Sequence, residues 1–250
     1  MALRKLIESV QKKYHADGFL PLMLSSIKFS YNQGVRKRLP RIIVDYNGVE
    51  VRAGHSLDKI IPWQTTSKPN HEHGLIQAVR EDISIGEIVV VIGGGWGTSS
   101  VAAAHQVGEK GTVHIFEGSS FYIDKIGETL KLNDVPAHID LHHAVVERGS
   151  NVRGDPGSAN RISSSELPNC DTLVLDCEGA EKDIIQNLSI KPEKIIVETH
   201  GLFDSPSEKI KQELESIGYR ITGKSIAEVD RAQFCMANDI YVLTAINNRL

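Results

Sequence analysis

The chain has 250 residues, enough to bury one large core, and 40% hydrophobic residues, 24% charged residues and a net charge of −4 match an ordinary water-soluble globular protein. That balance gives no reason to expect nucleic acid as a partner. No stretch reaches the ~18–20 apolar residues of a transmembrane helix, and the start lacks the apolar core and cleavage site of a signal peptide. Three widely spaced cysteines, Cys170, Cys177 and Cys235, make no C-x-x-C pair; they fit buried thiols in a reducing compartment, and a cytoplasmic location is expected.

The charge is uneven. Residues 1–41 hold nine Lys/Arg against two acids, leaving about −11 on the rest. Residues 3–30 carry apolar side chains at helical spacing, interrupted at Gly18 and Pro21, which predicts two short helices. Their basic faces are read either as solvated or as a peripheral contact with a membrane surface. Arg41–Val51 then reads as a hairpin, because Asn47-Gly48 supplies the positive φ angles of a tight turn between two apolar runs. Residues 53–70 look irregular, and a helix opens near His71. These features set residues 1–70 apart as a helical and hairpin appendage, with residues 71–250 as the main domain.

From residue 87 strands and helices alternate. Strands are expected near 88–92, 112–117, 138–145, 171–176, 194–198, 218–222 and 239–245, with helices near 98–107, 120–132, 179–188 and 206–217. Such alternation implies an α/β fold, a Rossmann-like seven-stranded, mostly parallel sheet covered on both faces. A long loop before the last strand favours an antiparallel strand at the end of the sheet. The Gly-, Ser- and Asn-rich segment 148–160 reads as a surface loop or a lid.

The chemistry begins where the apolar run Val89–Ile92 meets Gly93-Gly94-Gly95-Trp96-Gly97. Glycines at this junction let a ligand approach the backbone, and the following helix offers free N–H groups. Glu117 and Gly118, at the end of the next strand, stand where a nucleotide ribose sits in a doubly wound sheet. The third glycine of a G-x-G-x-x-G fingerprint is Thr98 or Ser100, and no Tyr-x-x-x-Lys occurs, so a nicotinamide enzyme fits poorly. Gly93, Gly95 and Gly97 suit an S-adenosylmethionine loop better.

A second block, Asp171–Glu181, reads as a strand, a D-x-E-G-A-E turn and a helix start, and Lys194–His200 as a strand ending in E-x-H. Over roughly residues 70–245 this combination resembles the FkbM-like class I methyltransferases. The resemblance implies S-adenosylmethionine as donor and usually O-methylation of a small molecule or glycan. It places the donor on Gly93, Gly95, Trp96, Gly97 and Glu117, with Glu72 facing the methionine part. The turn after the third strand, His143-Ala144-Val145, would border the adenine. The chain departs from the family at Val91, where an Asp is usual; a fold that binds a ligand without catalysis is therefore a rival, and a nicotinamide oxidoreductase a second.

Asp176, Glu178, Glu198 and His200 fall at the ends of adjacent predicted strands. His200 has the ordinary pKa of a general base, and Asp176 and Glu198 can share the catalytic work. Asp176, Glu198 and His200 are also candidate ligands for a cation such as Mg²⁺. Glu181 is read as a charge at a helix N-terminus, and His71 and His73 as solvated.

Overall fold

In the computed structural model the described residues are 19–61, 63–147 and 155–248. Residues 3–18 of the expected N-terminal helices and residues 148–154 of the expected surface loop lie outside them. The chain divides into two compact units, Met1–Val44 with Ala53–Thr66, and Asp45–Arg52 with Ser67–Leu250.

In the smaller unit, helix α1 (Phe19–Ser30) carries Pro21 in its first turn, where a missing N–H interrupts no helical hydrogen bond. Asp58, almost fully buried, accepts from Arg36 Nη2 at 2.7 Å and Nε at 3.0 Å. The expected hairpin forms from β1 (Arg41–Tyr46) and β2 (Val49–His55), and Asn47 (φ 53°) and Gly48 (φ 80°) supply its turn. The short strand β3 (Ser67–Lys68) pairs parallel with the end of β1, so part of the stretch expected to be irregular is extended. The hairpin tip belongs to the larger unit: Arg80 Nη2 donates to Asn47 O at 2.6 Å, and Asn133 bonds Glu50.

The larger unit follows the expected alternation. Helix α2 (His73–Asp82) leads into β4 (Ile88–Ile92), α3 (Thr98–Val107), β5 (Thr112–Glu117), α4 (Ser120–Leu132), β6 (His138–Val146) and β7 (Asn160–Ile162). Then come β8 (Thr172–Leu175), α5 (Glu181–Gln186), β9 (Lys194–Glu198), α6 (Ser207–Ser216), β10 (Tyr219–Ile226), α7 (Ala232–Ala237) and β11 (Tyr241–Asn247). Among the described residues the sheet has eight strands in the order β10-β11-β9-β8-β4-β5-β6-β7. The additional strand, β7, comes from the segment after residue 148 and pairs parallel with Ala144–Val146. β11 is antiparallel to both neighbours and lies between β9 and β10 rather than at the edge. The expected loop before it contains α7.

β4 and β8 occupy the middle because their Ile/Val/Leu runs have apolar side chains for both faces, as a doubly covered parallel strand requires. These strands all run parallel, and the order of winding reverses there, with β5 to one side and β9 to the other. The carboxyl ends of β4 and β8 therefore border the crevice where open α/β sheets bind ligands. Asp176 N–H donates to Ile92 O at 2.9 Å, holding the two ends together.

Candidate active site

The glycine turn divides into positions that packing requires and one that leaves space. At Gly93 (φ 87°) a Cβ would overlap the carbonyl oxygen of Asp176, and at Gly94 it would strike the Ile126 side chain. Gly95 (φ 50°) has nothing within 4 Å of its would-be Cβ. Gly97 (φ 86°) starts α3. Trp96 is half-buried and stands edge-on to Tyr46, Phe121 and Tyr122 at ring separations of 6.0–6.4 Å. Tyr46, delivered by the hairpin tip, has no signal in the sequence that would link it to this turn.

Glu117 ends β5 with its carboxylate folded back under the turn. Its oxygens accept from Gly95 N–H at 3.1 Å and Ser119 N–H at 2.7 Å. Burial raises its pKa and these backbone donors oppose the rise. Gly118 follows directly, half-buried. Glu72 approaches from the start of α2 with φ 47°, a left-handed conformation that costs a non-glycine residue roughly 1–2 kcal/mol. Its Oε2 accepts from Thr98 Oγ1 at 2.5 Å, and His71 Nε2 lies 3.2 Å from its Oε1. Glu178, in the turn after β8, is also left-handed at φ 50°. Two strained glutamates beside one crevice fit the clustering of such strain at functional sites.

The centre of the site is His200. Its Nδ1 is 2.8 Å from Glu181 Oε1, and its Nε2 is 3.5 Å from both Asp176 Oδ1 and Glu198 Oε1. Glu181 is fully buried, and its Oε2 also accepts from Gly179 N–H at 2.9 Å. It does serve the start of α5, but it also fixes the imidazole, a role its spacing does not reveal. Burial opposes a charge on His200; the Glu181 hydrogen bond and the carboxylates of Glu198 and Asp176 outweigh it and push its pKa up to about 11. These contacts favour the charged imidazole, which works against the expected role of His200 as general base.

Burial, reinforced by Glu198 and by Glu72, raises Asp176 well above the usual carboxylate range, and burial likewise raises Glu198. The Asp176 side chain is crowded by protein yet 22% exposed, so it is desolvated but reachable. Glu198 is buried, and its Oε2 has no hydrogen-bond partner. Glu228, on the loop after β10, accepts from Glu72 N–H at 3.2 Å and adds to the negative potential.

Donor atoms of Asp176, Glu198 and His200 lie within 4.8 Å of one another. The set does not fit the expected Mg²⁺, which takes oxygen ligands in near-octahedral geometry, since it offers two carboxylates and its third donor is an imidazole nitrogen. Two further expectations change. Ala144 and Val145 are buried inside β6, as the expected strand 138–145 has them and not in the turn that the resemblance implied, and β7 extends the pairing past the level of Glu117. His71 is not solvated; its ring lies tilted against Tyr46 at 4.6 Å. Val91 is buried in β4 between Ile115 and Val174.

The sheet order and the site at its reversal define a Rossmann-like class I methyltransferase fold. No family model matches the chain, and no curated protein matches it. Among solved structures, TYW2 of Pyrococcus horikoshii in complex with MeSAdo superposes with a TM-score of 0.53 at 16% identity, covering 84% of this chain and 72% of that one. Precorrin-6y C5,15-methyltransferase of Geobacter metallireducens gives 0.50 at 17% identity, covering 72% and 90%. Trm5b of Pyrococcus abyssi gives 0.51 at 14% identity, covering 84% and 56%. At these identities the likeness establishes the fold.

Proposed function

We propose that the chain is an S-adenosylmethionine-dependent methyltransferase of the FkbM-like type, methylating an oxygen of a small molecule or glycan, with residues 71–250 as the donor-binding domain. The observation that supports this most is the buried excess of carboxylates at the sheet reversal. Asp176, Glu181 and Glu198 surround one imidazole, and Glu72 adds its charge to Asp176 and Glu198. Buried charge without compensation is expensive, and a ligand with cationic centres relieves the excess. S-adenosylmethionine carries a sulfonium and an ammonium group, and when bound it supplies an electrophilic methyl.

In this reading Gly93, Gly95, Trp96 and Gly97 form the floor under the donor, with Gly95 as the open position. Glu117 and Gly118 face the ribose, and Ala144 and Val145 form the strand behind the adenine. Glu72 and Asp176 supply the negative charge missing at Val91. His200, held by Glu181, orients Asp176 and Glu198. Asp176 takes the acceptor's proton; its raised pKa brings a carboxylate toward the range useful for a base near neutrality. Three free thiols fit a reducing cytoplasm, with burial pushing Cys170 up to about 12 and so making it inert. No helix of the described residues is long and apolar enough to cross a membrane.

Calorimetry with S-adenosylhomocysteine and with NAD tests the reading. Micromolar binding of S-adenosylhomocysteine supports it; binding of NAD alone refutes it, and binding of neither favours a fold that has lost its donor.

A further inference from the structure

The described residues of the smaller unit contain six basic side chains (Lys28, Arg36, Lys37, Arg38, Arg41, Lys59) and one acid, Asp58. That acid is buried against Arg36. Lys28, Lys37, Arg38, Arg41 and Lys59 are all exposed, so the solvent-facing charge of this part is entirely positive, in a chain whose net charge is −4.

The same residues expose large apolar side chains. Phe29 is 67% exposed and Ile60 73%, and Met23, Leu24, Ile27 and Val35 are also exposed. Residues 23–30 show no buried position, so this part of α1 offers its apolar side chains outward instead of to a core. The helix end and the loop carrying Ile60 adjoin each other. The Lys28 ammonium lies 5.8 Å from the Trp63 ring centre, Tyr31 meets that ring edge-on at 6.5 Å, and Gln64 bonds Asn32.

We infer that this part of the smaller unit docks on the surface of an anionic lipid bilayer. Apolar side chains enter the headgroup boundary while the cations sit against lipid phosphates, and Trp63 and Tyr31 suit the interface between them. With 12 residues α1 is far short of a span and lies in the interface plane. A polynucleotide would use the same cations, but contact with its phosphates gains nothing from Phe29 and Ile60. The combination therefore selects lipid.

Flotation of the full chain with vesicles at about 0.1 M salt tests this, comparing phosphatidylglycerol/phosphatidylcholine mixtures with phosphatidylcholine alone. Binding to the anionic vesicles at least about tenfold tighter is expected, given the attraction of each basic residue to such a surface. The double variants Lys37→Glu/Arg38→Glu and Phe29→Ser/Ile60→Ser should each weaken it about tenfold or more while leaving the thermal transition in place, since all four side chains are exposed. Equal binding to both vesicle types, no binding to either, unchanged binding by either folded variant, or capture by a polynucleotide but not by vesicles overturns the inference.

Discussion

Replacing Glu181 by Gln tests whether His200 is held as an imidazolium. The Glu181 carboxylate receives only donors: His200 Nδ1 at 2.8 Å, Gly179 N–H at 2.9 Å and Cys177 N–H at 3.3 Å. An amide at this fully buried position turns its own NH₂ toward a donor and loses the charge that matches His200. Breaking one side of a buried ion pair costs about 3–5 kcal/mol. For a chain of this size each kcal/mol lowers Tm by about 2–4 °C, so a fall of about 6–12 °C is expected at the lower figure. The pH dependence carries the stronger test. With its folded pKa raised to about 11, His200 contributes stability that is whole below its ordinary value of 6.5 and is lost as pH rises through 11. Burial raises Glu181, but the hydrogen bond and charge of His200 together with backbone donors outweigh it and lower the pKa, so its contribution is lost as pH falls below the carboxylate range. The gap between wild type and E181Q, measured by thermal unfolding, should be full at pH 6.5 and close only on the way to pH 11. Closure of the gap between pH 6 and 8 would show that His200 titrates near its ordinary value, and the argument against it as a base would fall.

The glycine turn gives a paired prediction. Gly95→Ala should fold, with a loss of about 1 kcal/mol for its positive φ, yet weaken S-adenosylhomocysteine binding at least about tenfold, because its Cβ enters the open space. Gly93→Ala should fail to give folded protein by circular dichroism, because its Cβ overlaps the Asp176 carbonyl. Because Asp176 and Glu198 have raised pKa values, they take up charge only at higher pH, so affinity for the cationic donor should rise from pH 5 to 8 by calorimetry. Asp176→Asn should flatten that rise and reduce turnover by about 10²-fold or more, the contribution typical of a general base.

Much of the fold was legible because it rests on short-range rules. Period and β-branched composition mark β4, β5, β8 and β9, and Asn47-Gly48 marks the hairpin through its positive φ angles. The misreadings involve pairing between distant segments. β7 is three residues long and exists because Ala144–Val146 gives it an edge, so the composition of its own segment gave no sign of it. α7 has six residues, too few for a periodic signal.

The site divides in the same way. By itself the sequence determined that carboxylates and a histidine stand at the ends of adjacent strands, and that a glycine turn and Glu117 stand beside them. Those positions follow from where each strand stops, which depends on local composition. Only the tertiary structure decided their protonation and their roles. Glu181 is four residues from Cys177 in the chain but reaches His200 across the sheet, and the pKa of an imidazole is set by what surrounds it in space. Three carboxylates around His200 favour its charged form, and in the proposed reaction this leaves Asp176 to accept the proton.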